Sequence, residues 1–328
     1  MSSRTESAPV LKGPGMTIAY LAKAKYGGWP TFLRHLHVAM TEVGMGPAIR
    51  VVGARTAGLP HEFGHGLRAR RMALPDLCRA TGPVLIAAAD KDHADAARQL
   101  VERGAYIVVH DPAEKHLAGF PQDRMIVIRE SMLRHAPKAT FIRHPYRRDN
   151  PGRRSMYEAV AHSRIDFDKY THLILAANDL GANIRIFGAA NTRYIFLKIA
   201  SRWPDFKPER FPMEAGAGAA LCASAEVVVD MSAIANDGGG TQYSFLEAWD
   251  AGTPLVINAK WTAGYPDGDM QHGKNCLVAA DETQIAAAVK LLREDKFLRA
   301  LVVAEGRNSL LRHEPRTIGL QYKQAMRL

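Results

Sequence analysis

Arg164 and Lys169 stand five residues apart in the stretch SRIDFDK (163–169), immediately before the helical pattern THLILAANDL. A guanidinium offers a planar fork and an ammonium a mobile point charge, and together they can neutralise a diphosphate leaving group. The same cations can instead pair with Asp166 and Asp168, which lie between them. A second stretch, VVVDMSAIANDGGGTQYSFLEAWDAGTPLVIN (227–258), ends a strand at Asp230. It carries Asp237 and Gly238, Gly239 and Gly240 into a helix expected from about Thr241 to Asp250. Amides at a glycine-rich helix entrance form an anion site. Glu247, two turns inside that helix, is placed to accept hydrogen bonds from a ribose diol; an exposed helix face behind a flexible loop is the alternative. In YGGW (26–29), Gly27 and Gly28 let backbone approach a ligand. In YIVVHDP (106–112), His110 and Asp111 stand at a strand's carboxyl end. They are there either to contact a sugar hydroxyl or move a proton, or to terminate the strand.

These side chains need elements to hold them. Short apolar β-type runs alternate with helical patterns: TIAYLA (17–22), AIRVVG (48–53), VLIAAA (84–89), YIVVH (106–110), MIVI (125–128) and TFIRH (140–144). A second series follows the helical face HLILAA, with NIRIFG (183–188), EVVVDMS (226–232) and PLVIN (254–258). Runs apolar on both faces suit parallel strands covered by helices, so the class is α/β with two doubly wound sheets. PYRRDNPGRRS (145–155) reads as the boundary. The expected layout is a disordered leader at 1–15, a first domain at 16–155 and a second at 156–315. A last helix, 316–328, crosses back to the first. Two such domains leave a cleft at the carboxyl ends of their strands, where ligands of open α/β sheets bind.

Of the 328 residues, 47% are hydrophobic, enough for two cores. The net charge of +10 is unevenly spread. Residues 1–157 hold 24 Lys and Arg against 13 Asp and Glu, or +11, and residues 158–328 hold 19 against 20, or −1. A basic first half points to a polyanion, nucleic acid or an anionic membrane surface. Cys78, Cys222 and Cys276 are scattered, which speaks against a disulfide framework or zinc site and for a reducing compartment. No apolar run reaches the ~20 residues of a membrane span, and the polar start lacks a secretory pattern. No GxGxxG follows the first strand and no GxxxxGK[ST] occurs, so neither a dinucleotide fingerprint nor a P-loop is present. His61, His65, His93 and His116 lack metal-ligand spacing, and no metal site is expected.

Taken in order, these stretches resemble the two-domain glycosyltransferases of the GT-B fold, in the retaining, glycogen-synthase-like branch. The order is a glycine turn after strand one, a histidine ending a mid-domain strand and R-x4-K opening the second domain. An IxIxG strand with Gly188 follows, then the glycine loop with LEA and AGTP. HGKNCLVAADETQIAAAVKLLRED (272–295) looks like that branch's G-x-N-x-L-V segment and following helix. The resemblance covers most of residues 16–313. One departure stands: the branch has E-x7-E, and the position eight before Glu247 is Gly239, with Asp237 two residues earlier as the substitute. Within the fold, SRIDFDK, IFGAANTRY and DGGGTQYSFLEAWDAGTPLVINAKW look most like bacteriophage DNA glycosyltransferases of the T-even α-glucosyltransferase type.

The resemblance implies a nucleotide-sugar donor, usually a UDP-sugar, as substrate, with no cofactor, and a hydroxymethylated pyrimidine in duplex DNA as acceptor. Arg164 and Lys169 would hold the diphosphate, Glu247 the ribose, and Gly188, Gly239, Gly240, Thr241 and Gln242 the rest of the donor, approached by Gly27 and Gly28. His110, Asp111 and Asp237 would lie at the chemistry. Two arginine clusters in the basic half would face DNA phosphates. One holds Arg68, Arg70 and Arg71; the other holds Arg143, His144, Arg147, Arg148, Arg153 and Arg154. Alternatively they pair with local carboxylates. A rival enzyme acting on a lipid or envelope glycan would dock a basic, partly apolar helix at 67–79 on an anionic membrane. A non-catalytic nucleic-acid-binding protein is the third reading. A monomer in the cytoplasm, a host's if the source is a phage, completes the expectation.

Overall fold

The computed structural model describes residues 15–25, 27–52, 59–63, 66–111, 114, 117–203, 206, 208, 209, 214–233 and 238–328. The leader, apart from Gly15, and Asp237 lie outside them. The strands are β1 (Thr17–Leu21), β2 (Ala48–Val52), β3 (Pro60–Glu62), β4 (Arg68–Met72), β5 (Val84–Ala89), β6 (Tyr106–Val109), β7 (Met125–Val127) and β8 (Thr140–Phe141), then β9 (Tyr157–His162), β10 (Ile184–Phe187), β11 (Ala225–Asp230), β12 (Leu255–Asn258) and β13 (Leu277–Ala279). The α-helices are α1 (Gly28–Glu42), α2 (Leu74–Cys78), α3 (Ala94–Glu102), α4 (Thr171–Asp179), α5 (Thr192–Tyr194), α6 (Ala217–Ala223), α7 (Tyr243–Ala251), α8 (Glu282–Glu294), α9 (Lys296–Leu310) and α10 (Pro315–Ala325).

Among the described residues these strands form two sheets. The first runs β3-β4-β2-β1-β5-β6-β7-β8 and the second β10-β9-β11-β12-β13. All pairings are parallel except β3 with β4. The central strands VLIAAA, YIVV and VVV are buried on both faces, with apolar clusters on either side of each sheet. This is the continuous apolar reading of parallel strands roofed by helices. Each fully buried Leu, Ile or Phe in such a layer contributes about 1.5–3 kcal/mol.

Helix α1 shows how the cleft wall is built. Gly27 precedes it at φ 93°, a left-handed value that suits glycine, and Pro30 sits in the first turn where its missing N–H is harmless. Phe32, Leu33, Leu36, Ala39 and Met40 then recur at helical spacing and are buried. Helix α10 brings Ile318, Tyr322 and Met326 into the same cluster. Gly319 permits the approach, because a Cβ there would meet the Ala39 carbonyl at 2.4 Å. Between the sheets, residues 142–156 carry no regular secondary structure. The Asp250 carboxylate of α7 fastens them, accepting from Tyr146 Oη (3.2 Å), Asp149 N (2.7 Å) and Asn150 N (3.1 Å).

The structure departs from the sequence reading in several places, β3 and β13 being strands it did not name. Residues 67–79 do not form one basic helix: 68–72 are β4, hydrogen-bonded between β2 and β3, and only 74–78 are helical. Pro75 would leave a longer helix without a backbone donor. TFIRH keeps ladder pairing only at Thr140 and Phe141, because Arg143 turns to Asp269 (2.8 Å) as the chain departs toward the second sheet. Strand β9, YEAVAH, went unread: it offers only Ala159, Val160 and Ala161 between a glutamate and a histidine. Helix α7 starts at Tyr243, two residues past the expected Thr241.

Candidate functional site

A cavity of about 670 Å³ opens between the two sheets at the carboxyl ends of their strands. Gly27, Gly28, His110, Asp111, Arg164, Lys169, Gly188, Thr241, Gln242 and Glu247, widely spaced in sequence, all line it, and so does His144. Gly27, Gly28, Trp29 and Thr31 bring the first turn of α1 to one wall. Gly188, at φ 151°, is packed so closely that a Cβ would lie 1.7 Å from the Ser163 carbonyl oxygen. That contact lets the turn after β10 nest against the loop after β9.

Lys169 is nearly buried and reaches Ser232 Oγ at 3.1 Å, Gln242 Oε1 at 3.2 Å and Asp168 Oδ2 at 3.4 Å. Ser232 Oγ donates in turn to the buried carboxylate of Asp230, which also accepts from Ser244 Oγ. This chain fixes the ammonium against the second-domain wall. Arg164 is 63% exposed and pairs with Asp166 (3.1 Å) and Asp168 (3.5 Å). The ion pairing that spacing allowed is therefore formed, and the cation lines the cavity as well.

His110 closes the first-domain wall. Its ring sits edge-on to Phe32, and Nε2 lies 2.7 Å from the Ala87 carbonyl. Burial pushes its pKa down to about 4, against the hydrogen bond to Ala87 and with help from the Arg129 charge. A carbonyl only accepts, so Nε2 carries the proton and Nδ1 of the neutral ring is an acceptor. The geometry suits receiving a hydroxyl proton in a hydrogen bond and does not suit shuttling a proton. Glu114, one turn on, accepts from the His110 backbone N–H at 3.2 Å, and burial pushes its carboxyl up to about 8.

The glycine loop differs from expectation. Gly239 and Gly240 do not line the cavity. A Cβ on Gly239 would meet the Tyr265 ring at 2.8 Å, and one on Gly240 would meet Arg129 Cγ at 2.5 Å. These glycines buy close packing, which lets the Arg129 side chain cross from the first domain, donate to the His110 carbonyl and lie over Trp261. Thr241 and Gln242 carry the loop's contribution to the cavity wall.

The arginine clusters divide. Among the boundary residues, Arg143 pairs with Asp269 (2.8 Å), Arg148 with Glu314 (3.4 Å), and Arg153 donates to the Gly252 carbonyl (2.8 Å). These serve the junction between the sheets. Arg147 and Arg154 are exposed, as are Arg68 and Arg70 on β4, with Arg71 half-buried beside them. None of the nine but His144 lines the cavity. The reading also passed over Arg34, Glu114, Arg129, His162 and Tyr243, which line it. Arg129 follows the strand MIVI and obeys the strand-end rule that identified His110; His162 ends the unread β9. Among the described residues, no group of three His, Cys, Asp or Glu side chains is placed to hold a metal ion. No helix among them is long and apolar enough to cross a membrane.

No known protein family and no curated protein matches the chain. Solved structures do. An Anabaena protein, HepE, crystallised with UDP and glucose, superposes with a TM-score of 0.70 at 12% identity, over 94% of this chain and 98% of that one. Sucrose-phosphate synthase from Thermosynechococcus elongatus gives 0.68 at 14% identity, over 95% and 98%. An α-glucosyltransferase solved with UDP and a 13-mer DNA gives 0.67 at 10% identity, over 94% and 98%. At such identities the likeness establishes the fold. The chain has the GT-B architecture, two Rossmann-like domains facing a cleft, as the sequence resemblance implied.

Proposed function

We propose that the chain is a glycosyltransferase that moves a sugar from a nucleotide-sugar, a UDP-sugar in the first instance, to a hydroxyl group. The observation that carries this reading is the convergence on one cavity of Lys169, Arg164 and Glu247 with the first turn of α1 opposite them. The diphosphate lies against Lys169 and Arg164, and the ribose diol against Glu247. The bond from the anomeric carbon to the β-phosphate oxygen breaks with its electron pair on the phosphate. The two cations oppose that growing charge, and do so most in the transition state. The acceptor oxygen bonds the anomeric carbon from the same face, its proton leaves with the diphosphate, and configuration is retained. Neutral His110, with Nδ1 as acceptor, holds a sugar hydroxyl; Asp111 lies beside it. Asp237, outside the described residues, keeps the role the resemblance gave it. Because protein cations meet the diphosphate, activity should survive EDTA, and a chelator-sensitive rate would contradict this step.

The acceptor we propose is a hydroxymethylated base in duplex DNA. The +11 charge of residues 1–157 and the exposed Arg68, Arg70, Arg147 and Arg154 favour a polyanion. Both the HepE and DNA-bound α-glucosyltransferase structures share the fold, so the fold alone does not choose between acceptors. Reaching a base in a duplex requires flipping it out, which costs a few kcal/mol. The membrane-docking reading loses its helix at 67–79, which the chain does not form, and keeps only the basic charge that it shares with the DNA reading. The test is incubation with hydroxymethylated duplex and a panel of nucleotide sugars, read by nucleoside mass spectrometry. A sugar-shifted nucleoside is expected. Donor hydrolysis without that product removes the DNA acceptor, and no donor turnover with any acceptor removes the enzyme.

A further inference from the structure

Glu247 is held in a way that its position on α7 does not require. Its Oε2 lies 2.9 Å from Nε2 of His162, the last residue of β9, and among the described residues this is its one hydrogen-bond partner. On another side stands α6, where a Cβ on Gly218 would fall 2.3 Å from the carboxylate. Cys222, one turn further along α6, puts its sulfur 3.8 Å from Nε2 and 4.0 Å from Nδ1 of the ring. The carboxylate is thus confined between an imidazole and a helix backbone that only glycine leaves clear, and among the described residues its other oxygen has no hydrogen-bond partner. Burial works against a charged His162, and the hydrogen bond to Glu247 works for it. Burial pushes the Cys222 thiol up.

We propose that His162 is a positioning residue: it fixes the Glu247 carboxylate so that the unpartnered oxygen receives the paired hydroxyls of a ribose. The inference rests on reading the cleft as a nucleotide-sugar site. A carboxylate on a freely rotating side chain must be ordered by the ligand at each binding event, whereas a pre-held one is not. His162 therefore matters for ligands that carry the diol and little for ligands that lack it.

The test compares UDP with 2′,3′-dideoxy-UDP by titration calorimetry on the full chain. Wild type should prefer UDP by about tenfold or more, the value of a hydrogen bond to a charged group. His162→Leu should lose most of that preference while binding the dideoxy nucleotide as wild type does. Glu247→Gln should lose it too, and combining the two should add little. His162→Gln, which keeps an N–H donor, should retain the preference and carries the test if the leucine variant fails to fold. A folded His162→Leu protein with the full preference, or a folded His162→Gln protein without it, overturns the proposal. Wild type that binds neither nucleotide instead sinks the nucleotide-sugar reading beneath it.

Discussion

Lys169 and Arg164 meet the cleft in different states, and their variants should differ accordingly. Lys169 is nearly buried in a fixed network, while Arg164 is 63% exposed and shares two carboxylates. Lys169→Met should lower turnover by about 10²–10³-fold, as loss of a preorganised charge does, and Arg164→Ala by only about tenfold. Single-turnover rates beside circular dichroism check this; an active Lys169→Met enzyme contradicts it. Glu114 sets a pH dependence whose sign follows from its folded value of about 8, above 4.5. The neutral carboxyl's stabilisation is complete below pH 4.5 and is lost as the pH rises through about 8. Glu114→Gln should therefore gain on wild type across that window by on the order of 1 kcal/mol per pH unit, measured by chemical denaturation. His110 acts in the opposite sense, losing stability as the pH falls from 6.5 through about 4. At this scale the sequence was legible where a strand end announced itself, as at His110, and where charge spacing ahead of a helical pattern did, as at Arg164 and Lys169. It was silent for Glu247's partner, because His162 ends a strand with too few apolar residues to be seen.

Elements carry the site through their contacts more than through their propensities. The strands VLIAAA and YIVV were readable because both of their faces are apolar. β4, RARRM, was not: its arginines mimic a basic helix, and only its pairing between β2 and β3 makes it a strand. The glycine loop was readable as a loop but not for its purpose. Gly240 makes room for Arg129, a contact between residues 111 positions apart in the chain that no local pattern encodes. The same logic governs α10. Gly319→Ala forces a methyl against the Ala39 carbonyl and should destabilise the protein by about 1–3 kcal/mol, read as a lowered denaturation midpoint. An unchanged midpoint would mean that α10 does not rest on α1 as closely as described.

The whole molecule pairs a basic half with a neutral one across a cleft. If the basic half meets duplex DNA, affinity should fall linearly in log–log salt, by about 0.9 per phosphate contacted. Arg68→Gln with Arg70→Gln should flatten that slope by about two without changing nucleotide affinity, as measured by fluorescence anisotropy. An unchanged slope moves the duplex off β4. The architecture was legible from alternation and motif order together. The junction was not, since nothing in the pattern of Arg143, Arg148 and Arg153 showed that they bond across to Asp269, Glu314 and Gly252 of the second half. The most direct test of the account is a crystal structure of the chain soaked with UDP. The account predicts the diphosphate within hydrogen-bond distance of Lys169 and Arg164 and the ribose on Glu247; a diphosphate lodged elsewhere contradicts it.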